Sequence, residues 1–199
     1  MSPFSDGQQY HAQRFSRLAM PDTRFTNVEF IDCTFERCAF IRCVFYRCSF
    51  IDCRFKTCDL ANAQVLNSRF SDMQFTGSKL IGIDWTHAGD STVSKLLVSI
   101  DCEECVLNYS SFFGMKLNGR SFTRCIAHEV DLRNADLTDS NLAGTDFAGA
   151  LFHESNLSRA DLTGATTYDI DPRANVVTKA RFSLPEAISL LRGFDVVIE

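Results

Sequence analysis

The chain has 199 residues, 45% of them hydrophobic, and its 20 basic and 25 acidic side chains leave a net charge of −5. That length and apolar content suit one domain with a sizeable core, and the acidic balance argues against direct nucleic-acid binding. No run approaches the ~18 apolar residues of a membrane span, and no basic segment leads into an apolar one near Met1, so a cytoplasmic protein is expected.

From Phe15 onward a large apolar residue recurs every fifth position, at Met20, Phe25, Phe30 and so on to Phe75, Leu80 and Trp85, which makes 15 units. A period of five fits neither the 3.6 of a helix nor the 2 of a flat strand, so the chain must coil in another regular way. The residue two before each centre is nearly always small, and six in a row are cysteine, from Cys33 to Cys58. One small and one large inward side chain per unit is what a narrow, close-packed coil requires. The cysteines therefore read as packing atoms, and the odd total of nine argues against disulfides in a reducing compartment.

Between Trp85 and Leu97 the spacing holds two residues more than whole repeats, and Thr86 to Lys95 is expected to form a loop or kinked coil turning at Gly89 and Asp90. The ladder resumes two residues out of phase at Leu107, Phe112, Leu117 and Phe122, passes a weak centre at Ala127, and continues to Leu162 for 12 units. Leu97 and Cys102 extend it backwards. Arg120 falls at a small inward position, where an unpaired guanidinium could not stay, so either the coil distorts near Gly119 or the register slips. Cys102, Cys105, Cys125 and His128 have the spacing of a Cys3His zinc site, but the coil points them in different directions, so no metal or other cofactor is expected. The four histidines lie in no hydrolase, metalloprotease or nucleotide-binding motif, so no catalytic residue is assigned and the protein is not expected to be an enzyme.

Past Thr167 the repeat stops. Ser183 with Glu186 reads as a capping box, Pro185 suits a first turn, Gly193 suits a helix end, and Leu184, Ala187, Ile188 and Leu191 form an apolar stripe. The expected organisation is one domain over 1–199, with coils over 15–85, a phase break over 86–96, coils over 97–167 and a cap with dimerisation segment over 168–199.

Runs such as Ala135-Asp-Leu-Thr-Asp139, Ser140-Asn-Leu-Ala-Gly144 and Ala160-Asp-Leu-Thr-Gly164 closely resemble the pentapeptide-repeat family, over roughly residues 15–167. The resemblance implies an all-β fold, a right-handed quadrilateral β-helix with four units per coil and residues 20 apart stacked, here about seven coils. Leu80 to Trp85 and Arg181 to Ala187 look most like the albicidin-resistance branch, with microcin-immunity and Qnr-type proteins more distant. That branch implies a homodimeric DNA mimic that binds DNA gyrase and protects it from a poison. Residues 81–172 carry 14 acids against 6 bases, whereas residues 1–80 carry 8 against 10. Candidate gyrase contacts are Asp131, Asp136, Asp139 and Asp146, with Thr86, His87, Gly89, Asp90 and Lys95 of the phase break. Candidate dimer contacts are Phe182, Leu184, Ile188, Leu191 and Phe194. The alternative is a non-catalytic interaction scaffold with an unrelated partner.

Overall fold

The computed structural model describes residues 4–89, 98–194 and 196. The chain winds as a right-handed, four-sided β-helix in which every pairing among the described residues is parallel. On the first face Gln9–His11, Glu29–Ile31, Ser49–Ile51 and the start of Arg69–Thr76 stack in register. The second face stacks Arg14–Ser16, Thr34–Glu36, Arg54–Lys56 and the end of Arg69–Thr76. Bridges through Ala19, Ala39, Asp59 and Lys79 make the third face, and Arg24–Thr26, Val44–Tyr46 and Gln64 the fourth.

One inward column on the second face runs Phe15, Phe35, Phe55, Phe75, Cys102, Phe122, Leu142, Leu162 and Phe182. Its eight steps, at ~4.8 Å each, make a rod about 38 Å long. The expectation of about seven coils is one short, because the coil starts before Phe15, with Tyr10 paired on Phe30, and outlasts Thr167, with Val176 paired on Asn156 and Phe182 on Leu162.

Each unit turns its corner at the residue two after the centre, where φ is near +55° in Asp32, Asp52, Asn62 and Asn134. That left-handed backbone costs an ordinary L-residue on the order of 1–2 kcal/mol, which explains the frequency of Asp, Asn and Gly there. Inside, phenyl rings 20 apart stack, Phe30 on Phe50 at 5.0 Å and Phe50 on Phe70 at 5.1 Å. The small positions also satisfy backbone: Ser68 Oγ accepts from Cys48 N at 2.9 Å and donates to the Phe45 carbonyl at 3.0 Å. Cysteine thiols fill the same niche, and burial pushes Cys43 up to about 11 and Cys53 up to about 12.

Across the phase break the stacking interval is 27 residues, Gln74 on Asp101, Lys79 on Val106 and Asp84 on Ser111. The insertion is thus a whole unit plus two residues, larger than the two expected; positions 90–97, with Asp90, Lys95 and Leu97, lie outside the described residues. Trp85 closes the junction, buried and stacked on Phe112 at 6.2 Å with an edge contact to Phe70. Arg120 neither distorts the coil nor breaks register. Its neighbours Ser121 and Asn141 stay paired, and its guanidinium turns outward, where Nη1 donates to Ser99 Oγ at 2.6 Å near Asp101 and Asp72. Ile100 fills the interior below it beside the undersized centre Cys102, and Val130 does the same beside Ala127.

Both ends are plugged. Phe4 is buried at the N-terminal end with its ring edge-on to Phe15 at 4.9 Å and Phe30 at 5.0 Å. At the other end Glu186–Phe194 forms a 3-10 helix, with Phe182 and Leu190 packed on the core. The expected capping box does not form: Ser183 Oγ accepts from Gly164 N at 2.8 Å, tying the cap to the last coil. Gly193 does not end the helix, which runs on to Phe194.

Candidate functional site

Asp131, Asp136 and Asp146 each occupy the outward position before a centre, but on different faces. Asp131 stacks between Ser111 and Leu151 on the fourth face, Asp136 between Lys116 and Asn156 on the first, and Asp146 between Ile126 and Thr166 on the third. Asp139 sits at a corner with φ +58°. The four acids therefore ring the rod and form no single column.

Most of them are also neutralised locally. Arg133 donates to Asp131 through Nε at 2.9 Å and Nη2 at 2.7 Å, which holds that carboxyl below its ordinary range. Arg159, one turn along, grips Asp139 with two bonds of 2.6 Å and lowers it likewise. Burial works against ionisation of Asp146, and its hydrogen bonds with Thr167 and His128 outweigh that effect and lower it. Asp136 alone of the four makes no ion pair among the described residues, though Lys116 stands one turn away in register; it accepts from Thr138 N at 3.1 Å and Thr138 Oγ1 at 2.6 Å.

A carboxyl depressed in the folded state adds stability that is present above its ordinary value and lost as pH falls through the folded one. Asp131, Asp139 and Asp146 are depressed and Asp171, held by Arg173, is lowered to about 2. The melting temperature should accordingly fall as pH drops from 3.8 toward about 2. Calorimetric melts across that window check this, and a flat profile would show the pairs contribute nothing.

In the phase break, Thr86 and His87 belong to the 3-10 turn Trp85–His87, capped by Asp84, whose carboxylate accepts from Thr86 N at 3.0 Å and meets His87 Nδ1 at 3.1 Å. Gly89 is buried at φ +85°, its N–H donating to the Ser68 carbonyl at 2.8 Å, so it stays tied to the coil. His128 Nε2 lies 2.7 Å from Asp146 on the surface, turned away from buried Cys102, Cys105 and Cys125. A groove of about 530 Å³ on the second face is lined by Gln74, Asp101, Glu103, Ser121, Thr123 and Arg124. Glu103 and Glu104 hold Arg124 at its wall, and among the described residues lining the groove no nucleophile is hydrogen-bonded to a side-chain base.

At the C-terminal end Leu184 is 78% exposed, and Ile188, Leu191 and Phe194 are also exposed. Phe182 differs from this group: it is half-buried with its ring 5.6 Å from Tyr168 and serves the cap. The exposed group was legible as the helical stripe. Phe4 was not, since a lone aromatic ahead of the repeat carries no periodic signal.

No curated protein matches the chain significantly. Among solved structures, a trypsin-treated variant of QnrB1, a plasmid-mediated fluoroquinolone resistance protein, is similar with a TM-score of 0.55 at 20% identity, covering 96% of this chain and 100% of that one. A second QnrB1 variant has a TM-score of 0.49 at 21% identity, covering 98% and 91%. HetL of the cyanobacterium Nostoc sp. strain PCC 7120, a pentapeptide-repeat protein involved in heterocyst differentiation regulation, has a TM-score of 0.36 at 14% identity, covering 87% of each chain. The pentapeptide repeat region profile matches residues 23–94 and the eight-copy pentapeptide repeats profile residues 131–166. With more than half the chain so matched and the four-sided coil continuous on both sides of the phase break, the chain belongs to the pentapeptide-repeat family.

Proposed function

We propose that this protein is a DNA mimic that binds DNA gyrase and protects it from a gyrase-poisoning antibiotic of the albicidin or fluoroquinolone kind, as a cytoplasmic homodimer. The observation that carries the reading is a rod whose fold matches a fluoroquinolone resistance protein over nearly its whole length. The acidic half, net −8 over residues 81–172, supports it. Joined through the exposed Leu184, Ile188, Leu191 and Phe194, two copies would bring their acidic halves together at the centre of a rod with the positive field of a DNA-binding groove to occupy. Asp136, which makes no ion pair among the described residues, is the strongest of the four acidic contacts, with Asp139 at the corner beside it. Asp131 and Asp146, on two other faces, and the Thr86–His87 turn are secondary contacts, and buried Gly89 is not one of them.

Gyrase supercoiling and DNA-cleavage assays, run with a poison while the protein is titrated, test this. The expected result is fewer trapped cleavage products with recovered supercoiling, and a weaker response from Asp136→Lys. No effect at large molar excess would overturn the gyrase reading and leave a scaffold with an unrelated partner.

A further inference from the structure

Outward residues on this rod stand one turn apart at ~4.8 Å, close enough that like charges in a column repel. In five places the chain answers with opposite charges 20 residues apart, Asp22 with Arg42, Asp59 with Lys79, Glu104 with Arg124, Asp139 with Arg159 and Asp161 with Arg181, although Asp32, Asp52 and Asp72 stack unopposed within their own column. On the second face and its following corner, in the first three turns, four basic side chains lack such an ion pair. Arg17 stands directly below Arg37 in the corner column, and Arg14 and Lys56 flank them on the strands. All four are exposed, and none has an ion pair among the described residues. Arg54 beside them is already engaged by Asp32 at 3.3 Å, and Glu36, the one acid on these strands, stands in register with Lys56 without forming an ion pair with it.

Arg17 and Arg37 hold φ of 55° and 53° at the corner position that Asn27, Asn62 and Asn67 take in other units, and the arginines Arg42, Arg124 and Arg159 at that position each meet an acid one turn away. Arg17 and Arg37 are thus placed in line, and unlike those three they have no ion pair among the described residues. Guanidinium forks in a straight row suit a linear array of anions, and each fork can take a phosphate through two hydrogen bonds.

We propose that the edge formed by Arg14, Arg17, Arg37 and Lys56 binds the phosphodiester backbone of duplex DNA. The net charge of −5 argued against any such contact, but the acids that produce it lie in the other half of the rod. Contacts from guanidinium and ammonium groups to phosphate oxygens carry no base information, so binding through this edge is expected to be independent of DNA sequence. It stands apart from the gyrase reading and is measured without gyrase.

The test is fluorescence anisotropy of a labelled duplex of about 20 base pairs with the full chain, at 50 and 200 mM salt. Four phosphate contacts give a log–log salt slope of about −3.6, hence affinity lower by roughly 100-fold at the higher salt. Arg17→Asn combined with Arg37→Asn should reduce that slope by about two, and an unchanged thermal melt will show the coil intact because asparagine is native to that corner. Lys56→Gln should reduce it by about one. No binding at 50 mM salt, equal binding by the double variant, or equally tight binding of polyglutamate, which would assign the edge to an acidic protein, overturns the proposal.

Discussion

Phe50→Ala is expected to destabilise the protein by about 3–5 kcal/mol, a large part of the total for a marginally stable fold. Phe50 is buried at the centre of the aromatic ladder, stacked on Phe30 at 5.0 Å and Phe70 at 5.1 Å, with Phe45 and Phe55 edge-on or tilted at 5.3 and 5.9 Å. Removing the ring leaves a cavity that rigid parallel strands cannot collapse around, and the rings above and below lose a neighbour together. Because each turn of a solenoid contacts only the next, the damage should concentrate in the cysteine-rich turns. Hydrogen exchange should show lost protection around residues 29–76 before the turns after Phe122. The outward Tyr109→Ala, at 61% exposure, serves as control and should change stability by less than about 0.5 kcal/mol. A denaturant midpoint for Phe50→Ala indistinguishable from the control would refute the packing account.

The inside of this rod was readable from sequence because one rule repeats: a large centre, a small partner two residues earlier, charges elsewhere. The rule fails to report what is not periodic. A phase change of two looks the same whether two or seven residues are inserted, so the extra unit after Trp85 was hidden until the 27-residue stacking of Gln74 on Asp101 showed it. The last turn escaped because Asn175 takes a small inward position and bonds backbone there, its side-chain oxygen accepting from Ser155 N at 3.0 Å. Arg120 broke the rule visibly, but only the placement of Asp72, Asp101 and Ser99 around it shows where the charge goes.

The candidate surface was less legible, for a reason of geometry. Acid counts along the chain locate charge by residue number, whereas exposure to a partner depends on which face each residue takes, and five residues move the chain one face on. Asp131 and Asp136 thus lie on adjacent faces despite their proximity in sequence. Pairing was also overlooked: residues before and after one centre point to the same side, so Asp131 and Arg133 were bound to meet. The Asp139–Arg159 pair follows from the 20-residue stack by the same reasoning.

Leu191→Glu is expected to convert the proposed dimer to monomer at micromolar concentration. Leu184, Ile188, Leu191 and Phe194 present an apolar surface at the end of the rod while Phe182 and Leu190, on the other side of the cap, hold it to the last coil. An isologous contact about a two-fold axis places Leu191 in both halves of the interface, so a single substitution introduces two charges into one apolar patch. Each buried unpaired carboxylate costs several kcal/mol, enough to lower association by a thousandfold or more. Because Leu191 is itself exposed in the single chain, the coil should keep its melting behaviour, which separates loss of pairing from loss of folding. Sedimentation equilibrium of the wild type and variant reads the mass directly. A wild-type monomer at 100 µM would remove the dimer from the proposed function. A variant that remains dimeric would move the interface away from this end, and with it the idea that two acidic halves meet at the centre of one DNA-like rod.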